Sequence, residues 1–197
     1  MPQFWNERYA IEEYVYGKEP NKFFKEQLKG MAPGKILLPA EGEGRNAVFA
    51  AQLGFDVYAF DASEKAREKA NKLAEEFGVF LQYDVTDYGS MAYPANEFDV
   101  IALIFAHMHP AYRQTWHRKF LNFLKPGGKL ILEGFAKEQI TYGTGGPQNI
   151  HMLFSEDELR DDFSGLDHLS LLKKVIHLNE GIYHQGEASV IRMTGIK

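Results

Sequence analysis

KILLPAEGEGRNAVFAAQLGFDVYAFDAS, residues 35–63, is the stretch whose reading decides the fold. It is a short apolar run, a glycine turn, a helix-like run, Gly54, a second apolar run and then an acid. Ile36, Leu37 and Leu38 are continuous rather than alternating, as a parallel strand buried on both faces requires. Gly42 and Gly44 carry no Cβ, so the chain can turn tightly there and approach a ligand closely. Asn46 to Leu53 is Ala-rich, with Val48, Phe49 and Leu53 able to share one helix face. A strand, glycine turn, helix and second strand ending in Asp61 form the opening half of a doubly wound nucleotide-binding sheet.

Gly42 to Ala47 satisfies the G-x-G-x-x-G/A dinucleotide pattern, and Asp61 follows at the distance suited to a ribose. Charge separates the candidate ligands. A pyrophosphate on this turn faces Glu41 and Glu43, an unfavourable pairing of like charges. S-adenosylmethionine has no phosphate and carries a sulfonium and an ammonium, so it tolerates acids there. Two alternatives stay open at this point: an NAD(P)-dependent oxidoreductase, and a catalytically silent module that binds the methyl donor without transferring from it. A ligand-free glycine turn is the plainest reading, and Asp61 at the second strand's end argues against it.

The chain has 197 residues, nearly half of them apolar, which suits a single domain over 1–197 with a sizeable core. A net charge of −5 without a long Lys/Arg block argues against a nucleic-acid or anionic-membrane surface. There is no cysteine, hence no disulfide, thiolate metal site or cysteine nucleophile. With no basic-then-apolar leader and no apolar run long enough to span a bilayer, the expectation is a cytoplasmic protein, monomer or homodimer.

Residues 1–33 read as an aromatic-rich extension, either packed on the domain or serving as a lid over the ligand. A helix is expected from Pro20-Asn21 to Leu28, and another over Lys65–Phe77 capped by Ser63. Val79–Tyr83 reads as the third strand and Phe98–Phe105 as the fourth. Asp84 lies on the same carboxyl edge as Asp61 and can accept from an adenine amino group, or simply form an Asx turn. Past the fourth strand, His107 and His109 are candidates for a general base or an oxyanion contact, or at least one of them is an ordinary structural histidine. A metal site lacks partners at a recognised spacing, so none is assigned.

Tyr112–Leu124 reads as a helix, Lys125–Gly128 as a turn and Lys129–Phe135 as the fifth strand. Gly143–Pro147 reads as a loop that can close over a substrate, and Ser155 as a helix cap. His168–His177 and Gly186–Thr194 read as an antiparallel pair joined at Asn179–Gly181.

Ile36–Ser63, Asp84, Phe98–Phe105 and Leu124–Leu130 together resemble the successive motifs of class I S-adenosylmethionine-dependent methyltransferases. Trp5-x-x-Arg8-Tyr9, Tyr16–Asn21 and Glu41–Asn46 resemble the tellurite-resistance and thiopurine methyltransferase-like group within them. The resemblance implies a Rossmann-like α/β fold: a mostly parallel seven-stranded sheet, helices on both faces, the last strand antiparallel. It also implies S-adenosyl-L-methionine as cofactor, S-adenosyl-L-homocysteine as product and a small-molecule acceptor, such as a thiol or chalcogen oxyanion.

On the same ground Ala40, Glu41, Gly42, Gly44 and Arg45 would meet the methionine part of the donor. Asp61 would meet the ribose hydroxyls and Asp84 the adenine, and Ala62, Val85 and Phe105 would also belong to the donor site. Trp5, Arg8, Tyr9 and Tyr16 would form the lid and substrate wall. This sequence departs from the pattern at Ala40, where a glycine is usual, and at Leu38, where an acid is usual, with Pro39 between. Glu41 is expected to supply the missing carboxylate to the donor's ammonium.

Overall fold

A computed structural model describes residues 2–197; Met1 lies outside it. Two short helices come first, α1 (Pro2–Tyr9) and α2 (Lys22–Leu28). The alternating core follows: β1 (Lys35–Pro39), α3 (Arg45–Gln52), β2 (Asp56–Asp61), α4 (Glu64–Glu76) and β3 (Gln82–Val85). Then come β4 (Phe98–Ile104), α5 (Arg113–Phe123), β5 (Leu124–Phe135), α6 (Glu156–Asp162), β6 (Asp167–Glu180) and β7 (His184–Ile196).

The sheet runs β3-β2-β1-β4-β5-β7-β6. Strands β1 to β5 pair in parallel, and β7 is antiparallel to both β5 and β6. The order reverses between β1 and β4, which opens a crevice at their carboxyl ends.

Alternation along the strands divides the core. Ile36, Leu38, Val57, Val100 and Ala102 pack with Phe24, Leu28, Ala47 and Leu73 on one face, under α2, α3 and α4. Leu37, Phe60, Ile101 and Leu103 pack with Phe120, Phe123, Leu159 and Phe163 on the other, under α5 and α6. The central strands are therefore apolar on both faces over Ile36–Leu38 and Val100–Ile104, as their sequence indicated.

Several expected ends are met by observed caps. Asn21 caps α2 by accepting from the Phe24 N–H at 2.9 Å, and Ser63 caps α4 by accepting from Ala66 at 3.1 Å. Ser155 and Glu158 form a reciprocal capping box on α6.

Three boundaries differ from expectation. Strand β3 starts at Gln82 rather than Val79, since the apolar run continues into Phe80, which is 78% exposed. Lys125–Gly128 belongs to β5 instead of a free turn, and the ladder with β4 absorbs it as a register shift beside Phe98. The β6–β7 hairpin is longer than expected, turning at 181–183 and projecting past the end of β5.

The turn after β1 is set by Glu41. Its carboxylate accepts from the Asn46 and Ala47 backbone N–H groups, both at 2.8 Å, and from the Asn46 side chain at 3.3 Å. These are the unpaired donors at the start of α3. Ala40 turns the chain at φ 50, a left-handed conformation that costs a non-glycine residue about 1 kcal/mol. Gly44 sits at φ 90, and a Cβ there would lie 2.7 Å from that of Ala70, so α3 and α4 meet only because it is glycine.

Burial pushes the Glu41 carboxyl up to about 7, against the pull of its hydrogen bonds and of Arg45. A carboxyl whose pKa is raised on folding favours the folded state below its unfolded pKa and loses that contribution as pH rises through the folded value. Glu41 alone therefore lowers stability by on the order of 3 kcal/mol between about pH 4.5 and pH 8. Urea unfolding at pH 5 and pH 8 should show this fall in the parent protein and a much flatter response in Glu41→Gln. Equal slopes in the two proteins would contradict the assignment.

Candidate functional site

Asp61, the last residue of β2, projects into the crevice and is 6% exposed. Its carboxylate accepts from the Gly42 N–H at 3.1 Å and the Ser63 N–H at 3.0 Å, so the turn after β1 and the start of α4 both aim it. It has no cationic partner among the described residues, and burial raises its pKa to about 6. Tyr83 fixes the other side of the turn by donating to the Gly42 carbonyl at 2.6 Å. Asp84, within β3, is exposed, with the Tyr93 hydroxyl at 3.4 Å. Val85 pairs with Asp61 in the ladder, and Ala62 sits between Asp61 and the Ser63 cap.

Tyr9 lies over the turn: a Cβ on Gly42 would come within 2.8 Å of its hydroxyl. It stacks on Trp5 at 5.6 Å and meets Tyr16 edge-on at 6.4 Å. Lys69 of α4 ties this segment down, donating to the Ile11 and Glu13 carbonyls and pairing with Glu43 at 2.6 Å. From the opposite side the hairpin tip reaches across the crevice. The Ile182 N–H donates to the Val15 carbonyl at 2.9 Å, and a Cβ on Gly181 would lie 2.3 Å from that same oxygen.

Two polar connections back this closure. Arg45 donates to the Tyr16 carbonyl at 3.2 Å and pairs with Glu180 at 2.8 Å. Asn21 donates to Glu133 at 2.6 Å and to Glu180 at 3.3 Å, while Arg192 of β7 pairs with the other oxygen of Glu133.

Between the N-terminal segment, the 143–146 loop and the hairpin lies a cavity of about 270 Å³. Arg8, Tyr16, Thr144, Gln148, Tyr183 and His184 contribute to its lining. The Arg8 guanidinium donates to the Tyr16 hydroxyl at 3.0 Å and lies over the rings of Phe4, Trp5 and Tyr183 at 4.8, 5.5 and 4.3 Å. It has no carboxylate partner among the described residues. His184 is 5% exposed, its ring 4.6 Å from that of Tyr16 and 4.7 Å from that of Phe105. Phe105, just beyond β4, has a left-handed backbone at φ 52, so both strands flanking the crossover end in a strained non-glycine residue.

Three expectations are corrected. His107 has no ring nitrogen free for chemistry: the Phe135 N–H donates to Nε2 at 3.0 Å, and Nδ1 meets the Met152 carbonyl at 2.8 Å. It is stacked on Phe154 and Phe135, and burial lowers its pKa to about 4. Glu41 is turned into the start of α3 rather than toward a ligand's ammonium. The Arg45 guanidinium faces Glu180 and Tyr16 rather than the turn. His109 is exposed, its Nδ1 accepting from the Ala111 N–H at 3.3 Å.

Two further residues escaped the sequence reading. His184 lies in a hairpin with no local signature of chemistry. The Tyr88 hydroxyl is buried without a hydrogen-bond partner, in the cluster that includes Ala40, Phe60 and Met108 at the ends of β1, β2 and β4. A buried carboxylate without a cation, an unsatisfied hydroxyl and a phosphate-averse turn suit a nucleoside that brings hydroxyls and positive charge. S-adenosylmethionine fits them: Asp61 would hold its ribose and Asp84 with Val85 its adenine.

No helix of the described residues is long and apolar enough to cross a membrane. A methyltransferase-domain model matches residues 37–132. Phosphoethanolamine N-methyltransferase 1 of Arabidopsis thaliana is 30% identical over 128 residues, covering 64% of this chain and 26% of that protein. Thiocyanate methyltransferase 1 of the same plant is 31% identical over 121 residues, covering 58% and 50%. The chain thus spans between a quarter and a half of the length of these relatives.

Among solved structures, one from the conversion of a disulfide bond into a thioacetal group during echinomycin biosynthesis aligns with TM-score 0.80. It is 16% identical and covers 100% of this chain and 92% of that one. TehB from Haemophilus influenzae aligns at 0.72 with 16% identity, covering 100% and 66%. By its sheet order and its likeness to these solved structures the chain has the class I methyltransferase fold, and residues 37–132 of it match the methyltransferase-domain model.

Proposed function

We propose that this chain transfers the methyl group of S-adenosylmethionine to a small acceptor, a thiol or a chalcogen oxyanion, seated in the cavity beside Arg8 and His184. The observation that carries the reading is the lining of the cavity, which brings a cation without a carboxylate partner among the described residues together with a buried imidazole. Its size suits a small molecule and not a folded protein or a nucleic acid. Similarity to thiocyanate methyltransferase 1 and to a probable thiol methyltransferase 2 supports the acceptor class.

The bound donor supplies an electrophilic methyl on a sulfonium. The chain's own residues do the rest. Asp61 fixes the ribose, and the clasp of the N-terminal segment with the hairpin excludes water and holds two reactants in line, the main source of rate in such a transfer. Arg8 holds the charge of an anionic acceptor. For an acceptor that arrives protonated, the unprotonated Nε2 of His184 receives the proton, a role the sequence reading had given to His107 or His109.

Hydroxyls of a ribose donate to the ionised form of Asp61, so binding must expel the proton that burial favours. Affinity for S-adenosylhomocysteine should therefore rise about tenfold from pH 5 to pH 7 in calorimetric titrations. In Asp61→Asn it should be at least tenfold weaker at pH 7 and nearly independent of pH. A pH-independent affinity in the parent protein would count against Asp61 as the ribose ligand.

In assays with labelled donor, Arg8→Gln should raise KM about tenfold or more for an oxyanion acceptor and little for a neutral thiol. Equal effects on both acceptors would remove Arg8 from acceptor recognition. Tight binding of the donor with no transfer to either class would leave a silent binding module instead.

A further inference from the structure

Glu180, at the end of β6, faces three groups that the reaction scheme does not connect. It lies 3.4 Å from Nδ1 of His184, four residues on across the hairpin turn. Arg45, from the start of α3, pairs with the same carboxylate oxygen at 2.8 Å. Asn21, which caps α2, donates to its other oxygen at 3.3 Å. The side chains of Glu180 and His184 are 11% and 7% exposed.

Three aromatic rings confine the imidazole. Phe105 and Phe135 meet it edge-on at 4.7 and 5.3 Å, and the Tyr16 ring lies 4.6 Å away. Gly145 passes so near that a Cβ there would lie 2.8 Å from Cδ2. The charged and titratable groups facing His184 are Glu180, Arg45, Arg8, Tyr16 and, across Phe135, His107. Only Glu180 is an acid. With an acceptor on the Nδ1 side, the proton of neutral His184 stays on Nδ1, and Nε2, which meets no donor among the described residues, is left bare in a residue that contributes to the cavity lining.

Resting on the reading of His184 above, we infer that Glu180 is a positioning residue: it fixes His184 in the Nδ1–H tautomer and, through Arg45 and Asn21, does so only while the N-terminal segment is closed. The step balances as follows for a thiol. The S–H proton passes to Nε2, the sulfur lone pair forms the new S–C bond, and the methyl–sulfonium bond breaks to leave a neutral thioether. The imidazolium formed lies against the Glu180 carboxylate until it releases its proton to water. Without Glu180 the same ring would divide between two tautomers, one of which presents an N–H to the acceptor.

Side-chain ¹⁵N NMR of His184 in donor-free protein gives the first test. The parent protein and Glu180→Gln, whose amide oxygen still accepts, should show Nδ1 protonated and Nε2 bare. Glu180→Leu should show a mixture. The second test is the pH profile of kcat/KM for a small thiol. Losing the carboxylate's charge should move the acid limb down by about one pH unit in Glu180→Gln, with kcat about tenfold lower and KM changed less than twofold.

A parent His184 protonated on Nε2, or a pH profile that overlays the parent's while only the melting temperature falls, would overturn the inference. The NMR arm needs no donor, so it decides the positioning role even if the parent protein transfers no methyl group. That latter result would instead fail the functional reading.

Discussion

Two buried carboxylates at the ends of neighbouring strands, neither with an ion-pair partner among the described residues, govern this structure. Glu41 and Asp61 are desolvated enough that both pKa values are raised, and the nearest relief is the backbone N–H groups of the turn between them. Glu41 takes the donors that open α3; Asp61 takes one from the same turn and one from the start of α4. The glycines, the left-handed Ala40 and the close contact of Gly44 with Ala70 are consequences of folding a chain tightly enough to deliver those donors. A carboxylate so held has lone pairs and charge to offer, which suits hydroxyl groups and a cation and not a phosphate.

The second organising feature is a closure made from opposite ends of the sequence. The N-terminal segment descends over the turn with Tyr9 on Gly42, and the long β6–β7 hairpin reaches it from the far edge of the sheet. Glu133, Asn21 and Arg192 form a buried polar link behind the closure, and Arg45 with Glu180 forms one in front. Removing one member of such a buried pair leaves the other charge uncompensated, so these links hold the closure in one geometry. The cavity beside Arg8 and His184 exists only because both pieces are in place.

Much of this was legible in the sequence, and the parts that were not have a common cause. The continuous apolar runs around Leu37 and Leu103 identified central strands, and Asn21, Ser63 and Ser155 announced helix starts, because those signals act within a few residues. The position of Asp61 at the end of β2 was legible for the same reason. The role of His107 was not. Its i, i+2 spacing with His109 suggested chemistry, but the Met152 carbonyl and Phe135 N–H that engage its nitrogens come from distant positions in the chain. Glu41 was read as a ligand for an ammonium because the competing donors of α3 take their positions only once the turn has formed. His184 was missed because its surroundings are assembled by the hairpin's long reach, which local pattern does not report.

The central claim is that the crevice beside Asp61 is a donor site closed by the N-terminal segment. A crystal structure of the protein with S-adenosylhomocysteine tests it most directly. The account predicts the ribose hydroxyls on the Asp61 carboxylate, the adenine beside Asp84 and Val85, and the sulfur directed toward the cavity lined by Arg8 and His184. A ligand lodged elsewhere, or a crevice filled by Tyr9 at saturating ligand, would contradict it.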